Sequence, residues 1–313
     1  MIEVESLSKI YGSCVAIDAL TFRVEAGETL GFLGPNGAGK TTTMRILAGA
    51  IPPSAGTARI AGFDIQEQSM AVKKRLGFLP ENPPLYPNMS VRGFLHFVAT
   101  IKGVSAGDRP NRVNWVLERC QLQEYSRVLI SKLSKGYRQR VGIAQAIVHR
   151  PPVIILDEPT VGLDPLQIIE VRHLIRSLGG DHTVILSTHI LPEVSMTCDR
   201  VVIINRGKVV ATATLDNLMR EFASRFTYTI ELDGFTEDLL SLLRQVPGVS
   251  QASIDSQFSV ASRTLLQVTC QPNSEPGDQI AALIVTQGLS LYEMRRSRPT
   301  LEDVFLELLA KSG

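Results

Sequence analysis

The sequence predicts a doubly wound α/β domain over about the first 220 of its 313 residues, then a smaller α+β unit over 221–313. Three observations lead there. A glycine-rich stretch, Gly34-Pro35-Asn36-Gly37-Ala38-Gly39-Lys40-Thr41-Thr42, lies between the apolar strand Thr29–Leu33 and a run with apolar residues at helical spacing. The continuous apolar run Val153–Leu156 and the stretch Thr183–Thr188 read as buried strands, the first with the character of one covered on both faces of a parallel sheet. Beyond Thr227 the patterns read strand, helix, two strands, helix, strand, the order of a ferredoxin-like split unit.

In chain order, Ile2–Leu7 and Thr21–Glu25 alternate apolar and polar residues as half-buried strands do, and Thr57–Ala61 is a third. Arg75–Pro80 reads as a strand running into Glu81-Asn82-Pro83-Pro84, where two prolines forbid regular structure. Ser90 is placed to cap a helix with Val91, Phe94, Leu95, Val98 and Ile101 on one face, and Gly103 ends it. Val113, Val116, Leu117 and Cys120 mark a second helix, and Arg138–Arg150 a third, stopped by Pro151-Pro152. Pro165–Leu178 is helical, and Val201–Asn205 and Lys208–Ala213 flank Arg206-Gly207 as a hairpin would. In the second unit, strands are expected at Thr227–Leu232, Val249–Asp255, Thr264–Gln271 and Leu289–Arg295. Helices are expected at Glu237–Val246, Gln279–Gln287 and Leu301–Ala310.

Bulk properties narrow the function. A net charge of +1 gives no general attraction to nucleic acid. Cys14, Cys120, Cys198 and Cys270 lie far apart without metal or redox spacing, so free thiols in a reducing compartment are expected. The first residues mix charges with apolar groups, so no secretion leader is expected, and no apolar run approaches the roughly 18 residues of a membrane span.

The chemistry lies in the loops after the strands. The stretch from Gly34 matches G-x-x-x-x-G-K-[ST], whose glycines let backbone N–H groups turn inward around anionic oxygens. The helix opening at Lys40 adds its positive dipole end. Lys40 would reach the β and γ phosphates of a nucleotide, and the Thr41 hydroxyl a magnesium ion. Val153–Leu156 ends on Asp157 and Glu158, one carboxylate for magnesium and one to polarise water. His189 ends another buried strand, either as an ordinary surface group or as a contact to a γ-phosphate. Tyr11, on local pattern, is equally an ordinary packed aromatic.

Together these residues resemble the ATP-binding cassette (ABC) ATPases, over residues 1 to about 215 and in the family's motif order. The resemblance implies a P-loop NTPase cassette with a mixed sheet and a helical subdomain at about 83–150; the small C-terminal α+β, ferredoxin-like domain read from the pattern follows it in the chain. Lys40 and Thr41 fall in the Walker A loop and Glu81 at the Q-loop. Leu133–Tyr137 falls at the signature, Asp157 and Glu158 at Walker B, Val161–Asp164 at the D-loop, and His189 at the switch histidine. ATP and Mg²⁺ are the implied cofactors. ATP contacts are implied for Tyr11, stacked on adenine, for the loop Gly34–Thr42, and for Ser134, Lys135, Gly136 and Asp164. Metal contacts are implied for Thr41, Glu81 and Asp157, and catalytic roles for Glu158 as general base, His189 and Lys40. Two copies would face head to tail, each loop closing on the partner's Ser134-Lys135-Gly136.

Two positions depart from the family pattern. Glu81 stands where most members have glutamine, and the signature reads Leu-Ser-Lys-Gly-Tyr rather than Leu-Ser-Gly-Gly-Gln. Lys135 either faces solvent or adds a cation near the nucleotide. The pattern is most similar to bacterial ABC-2 cassettes, through Leu79-Pro80-Glu81, the signature and the closing Pro299-Thr300-Leu301-Glu302-Asp303-Val304-Phe305. That implies an exporter ATPase, peripheral on the cytoplasmic membrane face, serving a separate permease that docks near Glu81–Ser90. Tyr86, Met89 and Phe94 either line that groove or belong to the core. The alternatives are a soluble ABC ATPase working on nucleic acid or ribosomes, and a regulatory nucleotide-binding module. The C-terminal domain either dimerises and docks partners or binds a small ligand.

Overall fold

The computed structural model describes residues 1–218, 226–260, 263–297 and 301–311, and there the chain forms two compact units, Met1–Leu215 and Asp216–Lys311. The boundary expected near residue 220, and Pro299-Thr300 of the tail motif, lie outside the described residues.

The first unit holds two sheets. Strands β1 (Ile2–Tyr11), β2 (Cys14–Val24), β4 (Ala55–Ile60) and β5 (Phe63–Asp64) form an antiparallel sheet in the order β2-β1-β4-β5. The second contains β3 (Thr29–Leu33), β6 (Leu76–Leu79), β7 (Val153–Asp157), β8 (Thr183–Thr188), β9 (Arg200–Asn205) and β10 (Lys208–Thr214). Its order is β10-β9-β3-β8-β7-β6, parallel except for β10, which returns through the expected hairpin.

Side-chain alternation along the buried strands builds two cores. Val153 and Ile155 of β7 and Ile185 of β8 face one side, against helix α1 (Lys40–Leu47) and the antiparallel sheet's Ile2, Val4 and Phe22. Ile154, Leu156, Val184 and Leu186 face the other, against α3 (Val91–Ile101), α4 (Arg109–Arg119), α5 (Lys135–Ile147) and α6 (Pro165–Leu178). This two-sided burial is why β7 reads as an unbroken apolar run up to Asp157 and β8 carries one over Val184–Leu186. The helices begin where short polar side chains can accept backbone N–H groups: Ser90 from Gly93, Ser134 from Tyr137, Asp164 from Gln167.

Some boundaries move. The strand expected from Arg75 begins at Leu76, because Ser69–Arg75 forms helix α2 with Val72 buried. Strand β2 begins at Cys14 rather than Thr21, and β1 continues to Tyr11; register shifts along their pairing obscure the alternation. Helix α5 starts at Lys135, three residues before the expected Arg138, because Ser134 caps it.

The second unit has strands β11 (Thr227–Asp233), β12 (Val249–Val260), β13 (Arg263–Cys270) and β14 (Ser290–Ser297). They pair antiparallel in the order β12-β13-β11-β14, as a ferredoxin-like β-α-β-β-α-β unit requires. Helices α8 (Glu237–Gln245) and α9 (Gly277–Thr286) bury Leu239, Leu243, Ile280 and Ile284 in one core with Ile230, Leu232, Leu266 and Val268. Helix α10 (Leu301–Lys311) follows. Between β8 and β9 lies the short α7 (Leu191–Thr197). No described helix is long and apolar enough to cross a membrane.

Candidate active site

Four parallel strands deliver the site. Strand β3 ends at Leu33 before the glycine-rich loop, β6 at Leu79 before Pro80-Glu81, β7 at Asp157 before Glu158, and β8 at Thr188 before His189. Leu33 pairs with Thr188 and Asp157 with Ser187, so these ends lie level at the carboxyl edge of the sheet, where open α/β sheets hold ligands. There Asn36, Gly37, Gly39, Lys40, Thr41, Thr42, Glu81, Glu158 and His189, with Ala16 and Val161, line a cavity of about 390 Å³.

The loop has little room for side chains. A Cβ on Gly34 would lie 2.3 Å from the Ile204 carbonyl oxygen, so only glycine fits against β9 there. Gly39, at φ 103°, turns the chain into α1. Lys40 is 5% exposed, and its ammonium donates to the carbonyls of Gly34 (2.8 Å) and Pro35 (3.2 Å) and pairs with Glu158 Oε1 at 3.2 Å. Glu158 adopts φ 49°, left-handed backbone costing a non-glycine residue about 1 kcal/mol or more, and its N–H donates to the Ser187 carbonyl at 2.9 Å. Its other oxygen, Oε2, lies 2.9 Å from His189 Nδ1. One buried carboxylate therefore contacts both the phosphate-loop lysine and the histidine.

Asp157 is 1% exposed. Burial pushes its carboxyl above the ordinary value of 3.8; Glu158 and Glu81 push the same way, and the hydroxyls of Ser187 and of Thr41, the latter 3.3 Å from Oδ1, partly offset them. Its second oxygen, Oδ2, is buried without a hydrogen-bond partner. An orphaned carboxylate oxygen beside a threonine hydroxyl and a second acid matches the oxygen donors Mg²⁺ takes when phosphates and waters complete its shell. Among the described residues no group of three His, Cys, Asp or Glu could hold a metal alone.

Several expected contacts lie elsewhere in the chain. Tyr11, 48% exposed at the end of β1 with the Lys9 ammonium 5.2 Å from its ring centre, does not line the cavity. Gly34 and Pro35 contribute carbonyls to Lys40, and Ala38 is buried behind the loop. Ser134, Lys135, Gly136 and Asp164 do not line the cavity either. Ser134 and Asp164 cap α5 and α6, Gly136 is packed on Gln167, and exposed Lys135 reaches over Gly162. Phe94 is 2% exposed and belongs to the core, whereas Tyr86 is half exposed and stacks edge-on to it. Residues that sequence reading passed over include Ala16, on a strand masked by irregular pairing, and Thr160, Thr188 and Glu193, whose hydroxyls and carboxylate meet only in three dimensions.

A family model described as ABC transporter matches residues 17–161. The chain is 34% identical to the bacitracin transport ATP-binding protein BcrA of Bacillus licheniformis, over 99% of this chain and 97% of that one. It belongs to the ABC transporter family. It is also 33% identical to the daunorubicin resistance ATP-binding protein DrrA3 of Streptomyces coeruleorubidus, over 98% of this chain and 95% of the relative. A solved structure described as the ATP-binding subunit of an ABC transporter superposes with a TM-score of 0.64 at 32% identity, covering 71% of this chain and 93% of that one. The ABC cassette identified in this way binds and hydrolyses ATP, and Lys40, Glu81, Glu158 and His189 line its cavity at the carboxyl edge of the sheet.

Proposed function

We propose that this chain is the ATP-hydrolysing subunit of an exporter, working in pairs beneath a separate membrane permease on the cytoplasmic face. Phosphoryl transfer depends mainly on positioning and charge stabilisation. In this reading Lys40 and the amides of Gly37–Thr42 hold the β and γ phosphates. Thr41, Asp157 and Glu81 hold Mg²⁺, which when bound neutralises phosphate charge. Glu158 takes the proton of the attacking water, and His189 supports Glu158 and the γ-phosphate. Tyr11 stacks on adenine. Ser134, Lys135 and Gly136 approach the γ-phosphate of the other copy, and Asp164 stands at the interface between copies.

One observation carries the coupling to a partner. Glu81 lines the phosphate cavity and also a second cavity of about 410 Å³, walled by Asn82, Pro83, Leu85, Pro87, Ile130 and Arg138. A single side chain thus reports the state of the nucleotide to a groove suited to a short permease helix. The names of the relatives, bacitracin transport and daunorubicin resistance, support export of an antibiotic-like molecule. The test places single cysteines at Pro87 and Ser131 and cross-links in native membranes. An ATP-sensitive adduct with an integral-membrane protein is expected; recovery of ribosomes or DNA instead would favour the soluble alternative. We also propose that residues 221–313 hold two cassettes together. Removing residues 222–313 should then weaken dimerisation without abolishing ATP binding.

A further inference from the structure

Glu193, the third residue of α7, is fully buried, at 0% exposure. Nothing in its own helix satisfies the carboxylate. Oε1 accepts from the Thr160 hydroxyl and lies 3.6 Å from the Arg172 guanidinium; Oε2 accepts from the Thr188 hydroxyl at 2.7 Å. Thr160 is two residues beyond Glu158, and Thr188 immediately precedes His189. The Thr188 hydroxyl also accepts the N–H of Ile190, so the chain on both sides of His189 is tied to the same oxygen. Arg172 brings in α6, the helix that follows the loop Val161–Asp164.

We infer that Glu193 is a positioning residue for hydrolysis, a buried brace that fixes the loop carrying Glu158 to the loop carrying His189. The two catalytic side chains meet through a single hydrogen bond, Glu158 Oε2 to His189 Nδ1, and they come from different strands. That bond holds its geometry only if the ends of β7 and β8 keep their relative positions. The strand pairing supplies part of this, through Asp157 with Ser187 and the Glu158 N–H to Ser187. Beyond the last rung, the carboxylate of Glu193 is what joins the two loops. It touches no wall of the phosphate cavity, so it acts through Glu158 and His189 and not on the nucleotide. A buried carboxylate with two hydroxyl donors and one guanidinium stays in place because losing any partner leaves a charge in apolar surroundings. Small displacements of a general base are costly, since an error of about 1 Å can lower a rate by about 10²-fold.

This inference rests on Glu158 as the base, so the experiment includes Glu158→Gln as a reference. Turnover at saturating Mg-ATP, ATP binding at equilibrium and thermal midpoint are measured on the full-length chain. Glu193→Gln keeps volume and one acceptor. It is expected to lower kcat about ten- to a hundredfold while ATP affinity stays within about threefold. Thr188→Val removes one donor and is expected to lower kcat in the same manner, and Thr188→Ser to restore it. Turnover of Glu193→Gln and Thr188→Val near that of the parent, with Glu158→Gln inactive, overturns the brace alone. A fall in kcat matched by an equal loss of ATP affinity and of thermal midpoint, unrescued by Thr188→Ser, reduces Glu193 to a structural residue. Normal turnover by Glu158→Gln overturns the underlying assignment of the base.

Discussion

The ammonium of Lys40 lies 3.2 Å from Glu158 Oε1, both side chains under 10% exposed, so the proposed phosphate ligand and the proposed base form a buried ion pair. In the proposed function, phosphate oxygens take over Lys40 and free Glu158 for the attacking water. Glu158→Gln removes both the competing partner and a negative charge beside the phosphates. We therefore expect it to bind ATP at least as tightly as the parent while turnover falls about 10²–10⁴-fold, the usual worth of a general base. Equilibrium binding of a fluorescent ATP analogue and phosphate release check the two halves separately.

Lys40→Ala leaves the Glu158 carboxylate in a narrow cavity with only His189 beside it. The site admits water, so the loss of stability should be about 1–3 kcal/mol, not that of a dry ion pair. ATP binding should disappear. In Lys40→Ala with Glu158→Gln the orphaned charge is gone, so stability should largely return while binding does not. Denaturant unfolding of the three variants closes the cycle.

How much of this was visible in the chain follows from where each interaction lies. The loop Gly34–Thr42 was plain because its chemistry is contiguous: strand, glycines, lysine and helix occur in one stretch. Asp157-Glu158 and His189 are legible because each follows a strand built on an apolar run, Val153–Leu156 and Val184–Leu186. Helix α2 was not, since Lys73-Lys74-Arg75 reads as a solvated run and only Val72 is buried. The extent of β2 was hidden because its register shifts against β1 break the period of two. Glu193 was invisible in principle: its partners Thr160, Arg172 and Thr188 lie on three other elements, and no local pattern marks an acid as buried.

Asp157 gives a pH dependence with a definite sign. Burial raises its folded-state pKa above the ordinary 3.8, and Glu158 and Glu81 add to the effect. The protonated acid therefore favours the folded chain. That contribution is complete below the unfolded value and is lost as pH rises through the raised one. Once pH has risen past that raised value, the metal-free chain carries a buried carboxylate with one orphaned oxygen. Asp157→Asn should thus be more stable than the parent above the raised value, with the gap closing as pH falls through it, and should lose Mg²⁺-dependent turnover. Thermal melts in EDTA across pH test the first claim and ATPase assays the second.

Glu81 is the negative charge that a glutamine would not supply. If it helps hold Mg²⁺, Glu81→Gln should weaken metal binding in the presence of ATP by about 1 kcal/mol, roughly fivefold. The pH dependence of that affinity should also flatten, because Glu81 no longer pushes the Asp157 carboxyl up. Equal Mg²⁺ titrations for the two proteins at pH 6 and 8 would refute a role for the carboxylate.

The phosphate cavity of one chain contains no residue of its own Ser134–Gly136 segment, and this separation can be tested without a structure of the pair. Ser134 is exposed and caps α5, so Ser134→Arg should cost only the cap, about 1 kcal/mol, and leave ATP binding to the single chain intact. Its bulk and charge should prevent a second copy from closing on the nucleotide, and turnover should fall. Lys40→Ala fails for the opposite reason, having lost its own phosphate site but kept a sound Ser134–Gly136. In a mixed pair one site combines both defects and the other combines the two intact halves. Mixing the two inactive proteins should therefore restore turnover, with a dependence on their ratio that peaks near equal amounts. A site complete within one chain would give no activity at any ratio, because every chain in the mixture carries a defect.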